Sequence, residues 1–249
     1  MSSPTPASTP VPTPPSGGIP IVSDAVRLLR VLISPGAVFA EIEQRPTFWG
    51  PFAVVAILNV VINYFQQPFN QRIGQIMTER AGRPFTEPTA VRTAISAVLG
   101  GTLGPLILCL LVGGVLYVLV SVFGGQTTYK KMITVSIFTW PVTLIQLAVT
   151  NVVLASRGVA SINGPQDLFV SLGADLLLAG DTQIGVFPRL LLAGIGPLPI
   201  WKLTLTAVGL MVMGKLDKNQ GWTAAIIIFV LAVLMTATIG ALSMKMMGG

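Results

Sequence analysis

Histidine is missing from this 249-residue chain, and there is a single cysteine, Cys109. Without imidazole there is no Ser-His-Asp or Cys-His relay, no HExxH motif and no histidine ligand for a metal. One cysteine builds neither a disulfide framework nor a cysteine-cluster metal site. No catalytic, metal or cofactor residue is therefore assigned, and the chain reads as non-enzymatic. Charge is scarce as well. Asp, Glu, Lys and Arg make up 10% of the residues, against about 25% in soluble domains. So little charge could not clothe a soluble globule of this size. The net charge is +6, but the basic residues come in ones and twos, with no stripe able to follow a phosphate backbone, which excludes nucleic acid as a partner. Asp167, Asp175 and Asp181 match no calcium-loop spacing and are read as solvated loop carboxylates. "GIG" at Gly194 to Gly196 follows no strand, so it is not a dinucleotide fingerprint.

Apolar residues are what the chain has in plenty: 52% of it, with mean hydropathy +0.78. A run of about 20 apolar residues crosses a bilayer, and several occur. The expectation is an all-α, polytopic membrane helical bundle with five transmembrane helices. These spans lie at about 48–65, 97–123, 132–155, 198–213 and 222–244, within a membrane domain over 47–249. Trp140, Trp201 and Trp222 are read as interfacial, with Trp140 set deeper than a belt residue. Residues 1–22 are Pro-, Thr- and Ser-rich and predict a disordered tail. They lack the basic start and apolar core of a secretory signal.

Residues 23–46 predict interfacial amphipathic helices. From Ser23, the residues Val22, Ala25, Val26, Leu29, Leu32 and Ile33 share one face, and Arg27, Arg30 and Asp24 project from the other. A dozen residues cannot cross, so this piece should lie on the membrane surface, with Arg27 and Arg30 touching anionic lipid. Ser34-Pro35 signals a new helix start, and Val38, Phe39 and Ile42 form its apolar side.

Charge counting leaves orientation open, because each side of a five-span chain collects seven basic residues. Lys202 is expected near the headgroups, snorkelling beside Trp201; the alternative is a fourth span starting at Leu190 and kinked by Pro197 and Pro199, which carries Lys202 at depth. The apolar patches between Ser156 and Pro197 are each too short to cross and predict re-entrant or interfacial pieces.

Polar residues within spans are few. Asn59 and Asn63 share a face of the first span, and Thr143, Gln146 and Thr150 form a stripe on the third. They are candidates for helix packing or for a polar pathway, although no span carries Asp, Glu or His at mid-depth. Gly100 and Gly104 form a GxxxG pair, which makes the second span the expected best-packed helix.

"FGGQTTYKK", Phe123 to Lys131, joins the second span to a third that holds Pro141. Gly124 and Gly125 can end one helix, Thr127 or Thr128 can cap the next, and Lys130 and Lys131 are candidates for membrane orientation and lipid contact. With "SPGAVFAEIEQRPTFWGPF" before the first span and "PLPIWKLTLTAVGL" opening the fourth, this order of landmarks resembles the Yip family (Ypt-interacting proteins, the Yip-one domain), in its bacterial branch, over about Ser34 to Met246. The resemblance implies five helices, a cytoplasmic N-terminus, a C-terminus on the far side and residence in a bacterial cytoplasmic (inner) membrane. Eukaryotic relatives engage Rab-type GTPases through their N-terminal regions; the short uncharged tail here has no such segment, so a GTPase partner is not carried over. The resemblance implies a membrane scaffold or interaction protein linked to membrane organisation or trafficking, whose partners are anionic lipids, another membrane protein or a second copy. The alternative is a small permease or channel lined by Asn59, Asn63 and Gln146.

Overall fold

The computed structural model describes residues 20–170, 172–178 and 185–246; of the tail expected over 1–22, residues 1–19 lie outside the described residues, and 20–22 instead open a helix. The elements are α1 (Pro20–Arg30), α2 (Pro35–Glu43), α3 (Trp49–Arg80), α4 (Ala90–Val122), α5 (Tyr129–Arg157), α6 (Val186–Ala193), α7 (Pro197–Met213) and α8 (Lys218–Met246), with three short 3-10 turns between α5 and α6. The described residues contain no strand. Four helices, α3, α4, α5 and α8, are each long and apolar enough to cross a bilayer, and α6 with α7, bent by 57° at the break between them, makes a fifth if the pair is counted as one span. The chain is a polytopic helical membrane protein. Its helices overrun the apolar runs: residues 66–80 continue α3 past Pro68, and α4 starts at Ala90. The polar stretch expected to connect the first two spans is thus largely helical, and the turn itself is residues 81–89.

Local chemistry sets the ends. Thr89 and Thr128 accept from the backbone N–H groups of Arg92 and Lys131, each at 3.3 Å, and so cap α4 and α5. Gly124, at φ +77°, closes α4, and the Gly125 N–H reaches the Val120 carbonyl at 2.9 Å. Thr127 donates to the Met213 carbonyl at 3.0 Å and ties this hairpin to the end of α7.

Every residue from Thr134 to Val142 is buried, so α5 is enclosed on all sides there. It packs on α3, α4 and α7, while α7 in turn packs on α8 and α2. This corrects the expectation for the second span: 61% of the apolar window of α5 is buried, against 28% for α4. The face α4 buries runs through Gly101, Pro105, Cys109 and Gly113. A Cβ on Gly101 would stand 2.7 Å from the Val60 backbone, whereas nothing lies within 4 Å of one on Gly104, and Gly100 meets only the Asn63 side-chain oxygen at 4.0 Å.

The two N-terminal helices differ from each other. Val38, Phe39 and Ile42 of α2 are buried. Phe39 meets Phe138 edge-on at 6.4 Å and abuts Gly209, where a Cβ would sit 3.1 Å from its ring. The apolar side of α2 therefore packs on α5 and α7 of the bundle, because only a glycine at 209 leaves room for the ring. α1 and the turn after it bury Leu28 and Val31 and leave Val22, Val26, Leu29 and Ile33 exposed.

Candidate functional site

α7 opens with Pro197-Leu198-Pro199, tolerated there because the first turn of a helix needs no backbone donor. Trp201 faces outward, 38% exposed. Lys202, one residue on, turns about 100° around the helix, and its ammonium donates to Thr143 of α5 at 2.9 Å. It also lies 5.7 Å from the centre of the Trp140 ring, within cation–π range. The expectation of a snorkelling lysine is overturned: the side chain points into the bundle, against the middle of α5. Among the described residues no carboxylate comes within ion-pair distance of it. A lysine held inside a span costs about 2.5–3.5 kcal/mol on insertion scales. The hydroxyl and the ring face lower that cost without neutralising the charge.

Lys202 borders a cavity of about 370 Å³ between α4, α5, α7 and α8, partly covered by α6 and the segment before it. Ser136, Thr139, Trp140 and Gln146 put one side of α5 on it, and Thr206 adds a hydroxyl one turn beyond Lys202. Thr139 and Thr206 also donate to carbonyls of their own helices, Ser136 at 2.8 Å and Lys202 at 2.9 Å. Trp140 is 8% exposed, and its buried indole N–H has no acceptor among the described residues. Most of the remaining wall is apolar, with Val112 and Leu116 from α4 and Ile228 from α8. The stripe read from sequence started at Thr143; the stripe on the cavity starts two turns earlier, at Ser136. One charge and several hydroxyls on an otherwise apolar cavity make a binding geometry.

The other candidate residues fall elsewhere. Asn63 donates to the Asn59 carbonyl at 2.9 Å and Asn59 to the Val55 carbonyl at 3.4 Å, so both amides bond to their own helix, and neither borders the cavity. Gln146 alone of the three amides does. Arg27 pairs with Glu41 at 2.8 Å and Asp24 at 3.2 Å, and Arg30 pairs with Glu41 at 3.4 Å. Lys131 bonds Glu43 at 3.3 Å, and Lys215, after α7, bonds the same oxygen at 2.5 Å. The Lys215 hydrogen bond, helped by Lys131, holds the Glu43 carboxyl below its ordinary value. The Lys130 side chain is exposed and has no ion pair among the described residues. Glu43 thus gathers the starts of α5 and the α7–α8 link at the α2 end. At the other end Arg80 reaches the Asn163 carbonyl at 3.3 Å.

No group of three or more His, Cys, Asp or Glu side chains able to hold a metal occurs among the described residues. Asp167 accepts from the backbone of Asn163 and Gly164 at 2.8 and 3.0 Å. Asp175 is buried, which corrects its reading as a solvated carboxylate, and Asp181 lies outside the described residues.

Comparison with known proteins gives a consistent result. The Yip1 domain profile matches residues 29–240. The chain is similar to the membrane protein YknW of Bacillus subtilis (strain 168), with 27% identity over 210 residues, 83% of this chain and 87% of that protein. No solved structure matches it significantly.

Proposed function

The chain belongs to the Yip1 domain family, and from that premise we propose that it is a non-enzymatic scaffold or interaction protein of the bacterial cytoplasmic membrane, with its N-terminus in the cytoplasm. The observation that carries this reading is the fate of the amides. A pathway lined by Asn59, Asn63 and Gln146 was the basis for a permease, but two of the three bond to the backbone of α3 and only Gln146 reaches a cavity. Close packing of Gly101 on Val60 fills the seam where such a path would run. The exposed apolar ridge of α1 and the turn after it, at Val22, Val26, Leu29 and Ile33, supports a surface placement beside lipid or a membrane partner.

Two measurements test the reading. Purified protein in sealed proteoliposomes should pass small ions and solutes no faster than empty liposomes; protein-dependent flux would sink the scaffold in favour of the permease. A photo-crosslinking residue at Leu29 should trap a discrete protein partner in cells, and adducts with lipid alone would remove the partner. Orientation is checked with cysteines at Ser34 and at Gly248 in a Cys109→Ala background. They should label from the cytoplasmic and the opposite side respectively, and labelling from one side would end the five-span topology.

A further inference from the structure

We propose that the cavity beside Lys202 is a binding site for a single-chain amphiphile with a carboxylate head, the chemical class of a long-chain fatty acid. This goes beyond the scaffold reading and does not depend on it. The head end is built by Lys202 and Trp140. The ammonium has one hydrogen bond among the described residues, to Thr143 at 2.9 Å, and no carboxylate partner there. The Trp140 indole N–H, buried and with no acceptor among the described residues, belongs to a residue that borders the same cavity. A carboxylate has two acceptor oxygens, and the ammonium has donors left over after Thr143 to meet them. The ammonium is a compact point charge, which suits one negative charge rather than a bidentate fork.

The rest of the chamber selects the tail. Val112, Leu116 and Ile228 line it with hydrocarbon, and the hydroxyls are those of Ser136 and Thr139 on α5, Thr206 on α7 and Thr236 on α8. A volume of about 370 Å³ lies at the small end of the range for ligand pockets, which favours one chain over two. The class of ligand also fits the setting, because an amphiphile dissolved in the bilayer reaches an intramembrane chamber without crossing water.

The test uses the full-length protein in nanodiscs of zwitterionic lipid. Replacing Trp49, Trp201 and Trp222 with Phe leaves Trp140 as the reporter, and a brominated long-chain fatty acid is the quenching probe. The expected result is saturable quenching, competed by the unbrominated acid and not by its methyl ester. Lys202→Gln should weaken binding by about 30-fold or more, the loss expected when one partner of a buried charged pair is removed, and Lys202→Arg should retain part of it. Ala232→Phe, which fills the α8 wall while leaving Lys202 intact, should abolish saturation if Lys202→Gln does not fold. Equal competition by the ester, unchanged affinity in Lys202→Gln, or quenching that rises without saturating would each overturn the proposal. Saturation by a brominated phosphatidylglycerol but not by the acid would overturn it in favour of a diacyl lipid.

Discussion

Replacing Gly101 with Ala adds one methyl group, and the structure fixes what it meets. The new Cβ would stand 2.7 Å from both the Cα and the backbone N of Val60, and 2.8 Å from Cγ2 of that residue. Ordinary van der Waals contact starts near 3.4 Å. Most of the obstruction is backbone, which cannot rotate aside, so α3 and α4 must part by several tenths of an ångström along their crossing. Overpacking of this kind costs about 1–3 kcal/mol. It matters in a bilayer because lipid tails compete for the same apolar surface and close packing is a main source of helix association. Against this stands the helix propensity gained by Gly→Ala, about 1 kcal/mol in water. The net expectation is a loss of up to about 2 kcal/mol for Gly101→Ala. Gly104→Ala meets nothing within 4 Å and should be neutral or slightly stabilising. Reversible unfolding with sodium dodecyl sulfate in mixed micelles reads both, at matched protein concentration. Equal midpoints for the two variants, or a larger loss for Gly104→Ala, would refute the packing described for this seam.

Three more outcomes follow from the α2 end. Glu43 has its carboxyl lowered from the ordinary 4.5 by Lys215 and Lys131, so its stabilisation is complete above that value and fades as pH falls through the lowered one. Glu43→Gln should cost less than about 1 kcal/mol at neutral pH, given the exposure of Lys215, and the two proteins should converge in thermal unfolding well below pH 4.5; a gap that persists in acid would be refuting. Phe39→Ala empties the contact with Phe138 and Gly209 and should lower stability by about 3 kcal/mol, while an α2 lying loosely on the surface would show little change. Lys130→Gln should raise the fraction of misoriented protein in a protease-protection assay and leave the unfolding midpoint of inserted molecules unchanged, because its side chain makes no ion pair among the described residues.

The spans were legible because hydrocarbon demands long apolar runs, and that demand is local. Helix continuation outside the bilayer is not. The segment "QQPFNQRIGQIMTER" reads as a polar connection, yet it extends α3 to Arg80, with Pro68 inside it. Nothing in hydropathy separates a polar loop from a polar helix, since water and backbone hydrogen bonds both satisfy it. The hairpin was legible for the opposite reason: Gly124 and Thr128 act on atoms within a few residues, so their roles follow from their own chemistry. Gly101 shows the intermediate case. The GxxxG spacing draws attention to Gly100 and Gly104, but the series Gly101, Pro105, Cys109, Gly113 is equally small at every fourth position. Which of the two faces turns inward depends on Val60 and Ile133, residues of other helices.

Lys202 shows why the candidate site itself stayed hidden. Judged alone, a lysine inside a span carries a penalty that snorkelling avoids, and Trp201 next to it suggests the headgroups. The groups that make the inward position tolerable, Thr143 and the ring of Trp140, lie on α5, some sixty residues earlier in the chain. A local signal did exist. Thr206 follows Lys202 by four residues on the same face, and Ser136, Thr139, Thr143 and Gln146 keep a helical spacing on α5. Two polar stripes on membrane-spanning helices each need a partner, because a hydroxyl facing lipid gains nothing. The backbone carbonyls of their own helices satisfy Thr139 and Thr206. They cannot satisfy an ammonium, whose charge and three donors exceed what one threonine supplies. The inward lysine is therefore the residue whose placement packing alone leaves unexplained, and an anion in the adjoining cavity would balance it.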